Sequence, residues 1–137
     1  MSSSRRNVVL TVASAVLITG AAPAAAKIAT NVNGFQYDQN TLAFDGTVQS
    51  PNKHCVAGRT VTISSVDSGG TATALGTATT DKTGLFSYSA PDYNSKPGTY
   101  EATVAATKVK GPKPKHHHKQ TYYNCAAGSS GPTQYLG

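Results

Sequence analysis

A chain of 137 residues with two Cys and no Trp is long enough for one domain with a modest core, and too short for two of ordinary size. Its formal charge of +6, from twelve Lys and Arg against six Asp and Glu, is mild and does not make a nucleic-acid-binding arm. Thr, Ser, Gly and Ala dominate while Leu and Glu are scarce, which disfavours a helical bundle and suits strands and turns.

Residues 1–26 have the three parts of a cleaved export signal. Met1–Asn7 carries Arg5 and Arg6 and no acid, and Val8–Gly20 is an uncharged, mostly apolar run. Ala21–Ala26 ends in small residues, with Ala24-x-Ala26 placing the cleavage before Lys27. The apolar run is shorter than the roughly 20 residues a membrane span needs, and the mature part holds no second one. Ser4-Arg5-Arg6-Asn7-Val8-Val9 bears a faint likeness to a twin-arginine signal, although paired arginines also occur in ordinary leaders. Cleavage removes 26 of the 137 residues, leaving 111, and two of the twelve basic residues, leaving ten against six acids, or +4.

Cys55 and Cys125 are then the two cysteines of an exported chain, and an even pair reads as one disulfide closing a loop of 70 residues. Two thiols so far apart, with no C-x-x-C partner, make a poor metal site.

Lys27–Asn40 is polar and reads as a loose lead-in (27–40), with a short strand at Gly34–Tyr37. From Thr41 the apolar residues alternate, with Leu42, Phe44 and Val48 on one face, the period of a strand. Ser50–Lys53 breaks the pattern, and Arg59–Val66 resumes it through Val61 and Ile63. Asp67–Gly70 is a turn, and Thr71–Thr80 is a Thr/Ala-rich strand of ambiguous facing. Asp81–Gly84 is a second turn, since Asp bonds back to the chain and Gly tolerates positive φ. Leu85–Ser89 points Phe86 and Tyr88 inward, and Ala90–Gly98 is a loop that exposes Tyr93. Thr99–Thr107 alternates Tyr100, Ala102 and Val104; Lys108–Lys119 is a basic connection; Gln120–Ala126 is the last strand. Tyr122 and Tyr123 take opposite faces of that strand, one of them inward. The body of the domain is 41–127, and 128–137 reads as a flexible tail. About seven short strands at even spacing, with no helical period, predict an all-β fold: a small antiparallel sandwich or barrel.

Four pieces of this pattern resemble bacterial Ig-like sandwiches related to the carboxypeptidase regulatory-like domain, of prealbumin-like fold. They are Phe44-Asp45-Gly46-Thr47-Val48, Gly58-Arg59-Thr60-Val61-Thr62-Ile63, Thr80-Asp81-Lys82-Thr83-Gly84-Leu85-Phe86 and Pro97-Gly98-Thr99-Tyr100. The resemblance implies an Ig-like β-sandwich of about seven strands in which Cys55 and Cys125 look like the disulfide pair of secreted single-domain members. It also implies a non-catalytic accessory or adhesion role, and no particular ligand. One enzymatic relative of the fold, the transthyretin-like hydroxyisourate hydrolase, ends in Tyr-Arg-Gly-Ser. This chain ends Gln134-Tyr135-Leu136-Gly137, so no catalytic residue carries over.

The stretch Lys108–Lys119 is the most unusual feature. It holds Lys108, Lys110, Lys113, Lys115 and Lys119 with His116, His117 and His118, and no acid. As a polyanion site its lysines contact phosphate or carboxylate groups of a cell-wall polymer or an acidic protein surface, without specificity for nucleic acid. As a metal site it binds through His116 and His118, the two that share a face in an extended chain. As a pH-tuned attachment it gains charge when the histidines protonate. As a plain solvated loop its lysines keep an edge soluble. Elsewhere the chemistry is thin. Asp81 and Asp45 belong to turn motifs rather than to a Ca²⁺ cage. His54 beside Cys55 makes a thiol site only if the disulfide is absent. Six scattered acids give no obvious carboxylate pair for glycoside chemistry. Tyr93, Tyr122, Tyr123 and Tyr135 offer stacking surfaces for sugars where exposed. The expectation is a secreted, non-enzymatic binding or structural module without a cofactor that engages anionic or polysaccharide cell-surface partners through the Lys/His-rich loop, against two alternatives: a metal-binding module through His116 and His118 and a small secreted hydrolase.

Overall fold

The computed structural model describes residues 26–93, 96–116 and 118–137. Nearly all of the expected leader, Ala24 included, and His117 lie outside the described residues. The described chain is all-β, with ten strands, two single-turn 3-10 segments and no α-helix. It contains no helix long and apolar enough to cross a membrane.

Strands β1 (Asn31–Asp38), β2 (Ala43–Gln49) and β5 (Leu85–Ser89) form a three-stranded antiparallel sheet in the order β1-β2-β5. A five-stranded sheet contains β3 (Thr60–Val66), β4 (Ala72–Thr79), β6 (Gly98–Val104), β9 (Gly128–Ser129) and β10 (Thr133–Tyr135). Its order is β10-β6-β3-β4, with β9 also on β6. Strands β7 (Thr107–Lys110) and β8 (Tyr122–Cys125) form a separate hairpin, and β8 is also bridged at Cys125 by Ile28.

The period-two pattern explains why the large sheets face each other. Val61 and Ile63 on β3, and Tyr100, Ala102 and Val104 on β6, point into one core. Val32, Phe35, Phe44, Val48 and Phe86 meet them from the other sheet. The result is sandwich-like, as the alternation predicts. Phe44 is its centre: its ring lies 4.8 Å from Tyr100, 4.9 Å from Tyr37 and 5.7 Å from Phe35. Burying a side chain such as Ile63 or Val48 contributes about 1.5–3 kcal/mol. Gly46 is required beside it, because a Cβ there would sit 2.5 Å from the Phe86 ring.

The Asp81–Gly84 turn forms as predicted. Asp81 Oδ1 accepts from Thr83 N at 2.8 Å, from the Thr83 hydroxyl at 2.7 Å and from Leu85 N at 3.1 Å. Gly84 has φ +91, and its carbonyl accepts from Val48 N at 2.8 Å, docking the turn onto β2.

Four expectations change. The lead-in 27–40 is mostly the eight-residue strand β1. Its register shifts between Asn33 and Gln36, so the inward residues Val32 and Phe35 stand three apart instead of two. The 128–137 tail is not frayed: β9 and β10 both pair with β6. Ser130 bridges them, its N–H donating to Ala102 O at 2.9 Å and its Oγ accepting from Ala102 N at 3.0 Å. Tyr93 is half-buried against Tyr100 and Phe44 rather than exposed. Of the Tyr122–Tyr123 pair neither is core: Tyr122 is exposed and Tyr123 half-buried.

Candidate functional site

The basic stretch becomes the distal part of the β7–β8 hairpin. β6 ends at Val104, the chain leaves as β7, returns as β8, and rejoins β6 through β9, whose Gly128 pairs with Val104. The hairpin therefore hangs from one end of the sandwich. All of Lys108, Lys110, Lys113, Lys115 and Lys119 are exposed, as are His116 and His118. Lys108 Nζ lies 5.0 Å from the centre of the Tyr122 ring, a cation–π contact that holds one lysine on the hairpin face. Gly111 N–H donates to Thr121 O at 2.8 Å, and Gln120 Nε2 donates to Gly111 O at 3.1 Å, so the hairpin stays closed beyond its strands. His116 adopts φ +39 at the turn.

The base of the hairpin is clasped. Cys55, in the 3-10 segment Lys53–Cys55, is bonded to Cys125 on β8, with Cα atoms 5.4 Å apart and both residues fully buried. That bond consumes the thiol, so His54 and Cys55 form no nucleophilic pair. His54 instead stacks on Tyr123, rings 4.7 Å apart and 10° from parallel. Ile28 runs alongside β8: Ile28 N donates to Asn124 O at 2.7 Å and Ala126 N to Ile28 O at 2.8 Å.

Arg59 completes the clasp. It is 4% exposed, and its guanidinium donates to Cys55 O and Ala105 O, both at 2.8 Å, and to Ala126 O at 3.2 Å. These carbonyls come from the segment before β3, from the start of the hairpin and from its return. Burial pushes the guanidinium below its ordinary pKa. No local pattern in the sequence reveals this role; its one trace is that Arg59 is the one arginine after the leader and stands four residues beyond Cys55.

Charge is segregated by the topology. The strand pairing puts Asp38, Asp67 and Asp92, against the single basic residue Lys96, at the end away from the hairpin, where β1, β3 and the 3-10 segment Pro91–Tyr93 meet the turns. Lys27, Lys53 and Lys82 lie at the hairpin end, with Asp81. Asp81 is committed to its own turn: first the Thr83 hydroxyl, then backbone N–H groups, hold its carboxyl below the usual range. Asp81 also borders a shallow hollow of ≈ 490 Å³, with Asp45, Thr47 and Leu85. Among the described residues no three His, Cys, Asp or Glu side chains gather as a metal would need.

The chain matches no protein-family model, no curated protein and no solved structure.

Proposed function

We propose that this chain is an exported, non-catalytic attachment module, an Ig-like sandwich of the prealbumin kind, that engages anionic cell-wall polymers or acidic protein surfaces through the β7–β8 hairpin. One observation carries the reading: five exposed lysines on a braced hairpin that projects from the sandwich, with no acid from Ala102 to Gly137. Exposed ammonium groups on a stiff support act as point charges whose attraction adds up along a polymer. The acids at the far end turn the molecule so that its basic end leads. The disulfide supports an oxidising compartment, in line with the leader read in residues 1–26.

The test is co-sedimentation of the oxidised protein with isolated cell envelopes across a salt series. The partner protein in the test replaces Lys108, Lys110, Lys113, Lys115 and Lys119 with Gln. Binding of the natural chain should fall steeply as salt rises, and the substituted chain should stay in solution. Salt-insensitive binding, or equal binding by both chains, rejects the hairpin as the attachment site.

A further inference from the structure

The five-stranded sheet ends on β4, which pairs with β3 along one side and, among the described strands, with nothing along the other. An exposed edge is a template for further pairing unless something blunts it. In β4 the usual blunting residues are missing. Ser68–Thr80 contains no Lys, no Pro and no charge of either sign. Ala72, Thr73, Ala74, Thr77 and Thr79 are all exposed.

The single irregularity of β4 is a bulge opposite β3, where Ile63 pairs with Gly76 and Ser64 with Ala74, leaving Leu75 without a partner on that strand. Leu75 O instead accepts from the Tyr88 hydroxyl at 3.1 Å. The bulge changes which residues share a face. Pairing with the inward Val61, Ile63 and Ser65 side of β3 puts Ala78, Gly76 and Thr73 inward, and leaves Thr79, Thr77, Ala74 and Ala72 outward.

We infer that β4 is a docking edge for a second copy of this chain, two β4 strands pairing antiparallel about a two-fold axis between Leu75 and Gly76. In that register Ala72 meets Thr79 of the other copy, Thr73 meets Ala78, and Ala74 meets Thr77. Each of these three pairs joins two outward or two inward residues and sets one alanine against one threonine, while Leu75 lies opposite Gly76 beside the axis. Without the bulge, the same register would put inward residues against outward ones, which a pleated sheet forbids. The strand is thus self-complementary along both arms, as a two-fold interface requires. Lack of charge in Ser68–Thr80 suits a second copy, since two positively charged molecules meet best through a segment that carries none. The outer face adds continuity: Ser129, Thr103, Thr62 and Thr77 form one rung across four strands, and pairing at β4 would extend the hydroxyl-bearing surface across the axis.

Sedimentation equilibrium of the full disulfide-bonded chain over a concentration series tests this, alongside an Ala74→Lys/Thr77→Lys variant whose fold is checked by circular dichroism. The double substitution sets two lysines opposite each other on each side of the axis. The expected result is a dimer whose dissociation constant rises about tenfold or more in the variant. Amide exchange in β4 of the natural chain should also slow as concentration rises, whatever the variant does. A monomer up to about 1 mM, a dimer indifferent to the two lysines, or β4 exchange independent of concentration overturns the inference. Any of these would leave the edge open to an extended segment of another protein.

Discussion

Removing the disulfide by Cys55→Ala and Cys125→Ala tests the account of the clasp. Neither sulfur belongs to the aromatic and aliphatic cluster between the sheets, so the sandwich should still form. The bond closes a loop of 70 residues, and the chain-entropy relation for a loop of that length gives about 4 kcal/mol at 25 °C. Against the roughly 5–15 kcal/mol of a domain this size, that is a large share. In thermal terms it is a fall of roughly 15–30 °C. Urea unfolding of both proteins measures the loss, and the slope against urea should rise because the uncrosslinked denatured chain exposes more surface. Hydrogen exchange localises the effect. Amides of β7 and β8 should lose protection before those of β3 and β6, because the hairpin pairs with neither large sheet. A loss under about 1 kcal/mol would mean that the loop is already constrained in the denatured chain, contrary to the entropic reasoning. Equal protection of hairpin and β3 would mean that the hairpin is held by more than its base.

Three other outcomes follow from the same geometry. Arg59→Met should cost about 1–3 kcal/mol, because the dry carbonyl of Cys55 loses its donor while those of Ala105 and Ala126 can turn to water; denaturant midpoints measure it, and no change would show that water replaces the guanidinium without loss. Gly84→Ala should cost at least roughly 1–3 kcal/mol, since φ +91 is unfavourable for alanine and its Cβ would press on the Val48 carbonyl and the Val56 side chain; Gly69→Ala, without positive φ and with only an ordinary contact to Asp67 Oδ1 at 3.4 Å, is the control. Burial, followed by neighbouring tyrosines, holds Tyr37 and Tyr100 above their ordinary pKa of 10.0. Their neutral forms therefore contribute stability that is present below pH 10.0 and lost as pH rises through the raised values, so ionisation of these two phenols should accompany unfolding. A smooth titration at the ordinary value, with the fold intact, would contradict that.

How much could be read in advance depended on whether the side chains kept step with the pleat. β3 and β6 were legible because Val61 and Ile63, and Tyr100, Ala102 and Val104, alternate without interruption. β1 reads as a loose lead-in because its register shift separates Val32 from Phe35 by three residues, which breaks the period of two. β9 and β10 carry almost no apolar signal. They are strands because β6 offers them an edge and Ser130 keeps the hydrogen bonds going between them, and neither fact is local. β4 had ambiguous facing for a physical reason as well, since its bulge moves the inward position by one residue midway. At the candidate site the lysines could be named from sequence but their support could not. Arg59 gathers carbonyls from segments 46 and 67 residues away along the chain, and no spacing rule reaches that far.

The way the hairpin is rooted separates its upkeep from its content. β6 and β9 are neighbours in one sheet, so the chain leaves and returns at adjacent points. The disulfide, Arg59 and Ile28 fix those points without using any described residue from Gly111 to Thr121. The entropy of closing such a segment grows slowly with its length. The tip is therefore interchangeable: a longer, shorter or oppositely charged segment could be spliced between Lys110 and Tyr122 with little change in the sandwich beneath it. The same body could then carry different recognition sequences, as a handle accepts different blades.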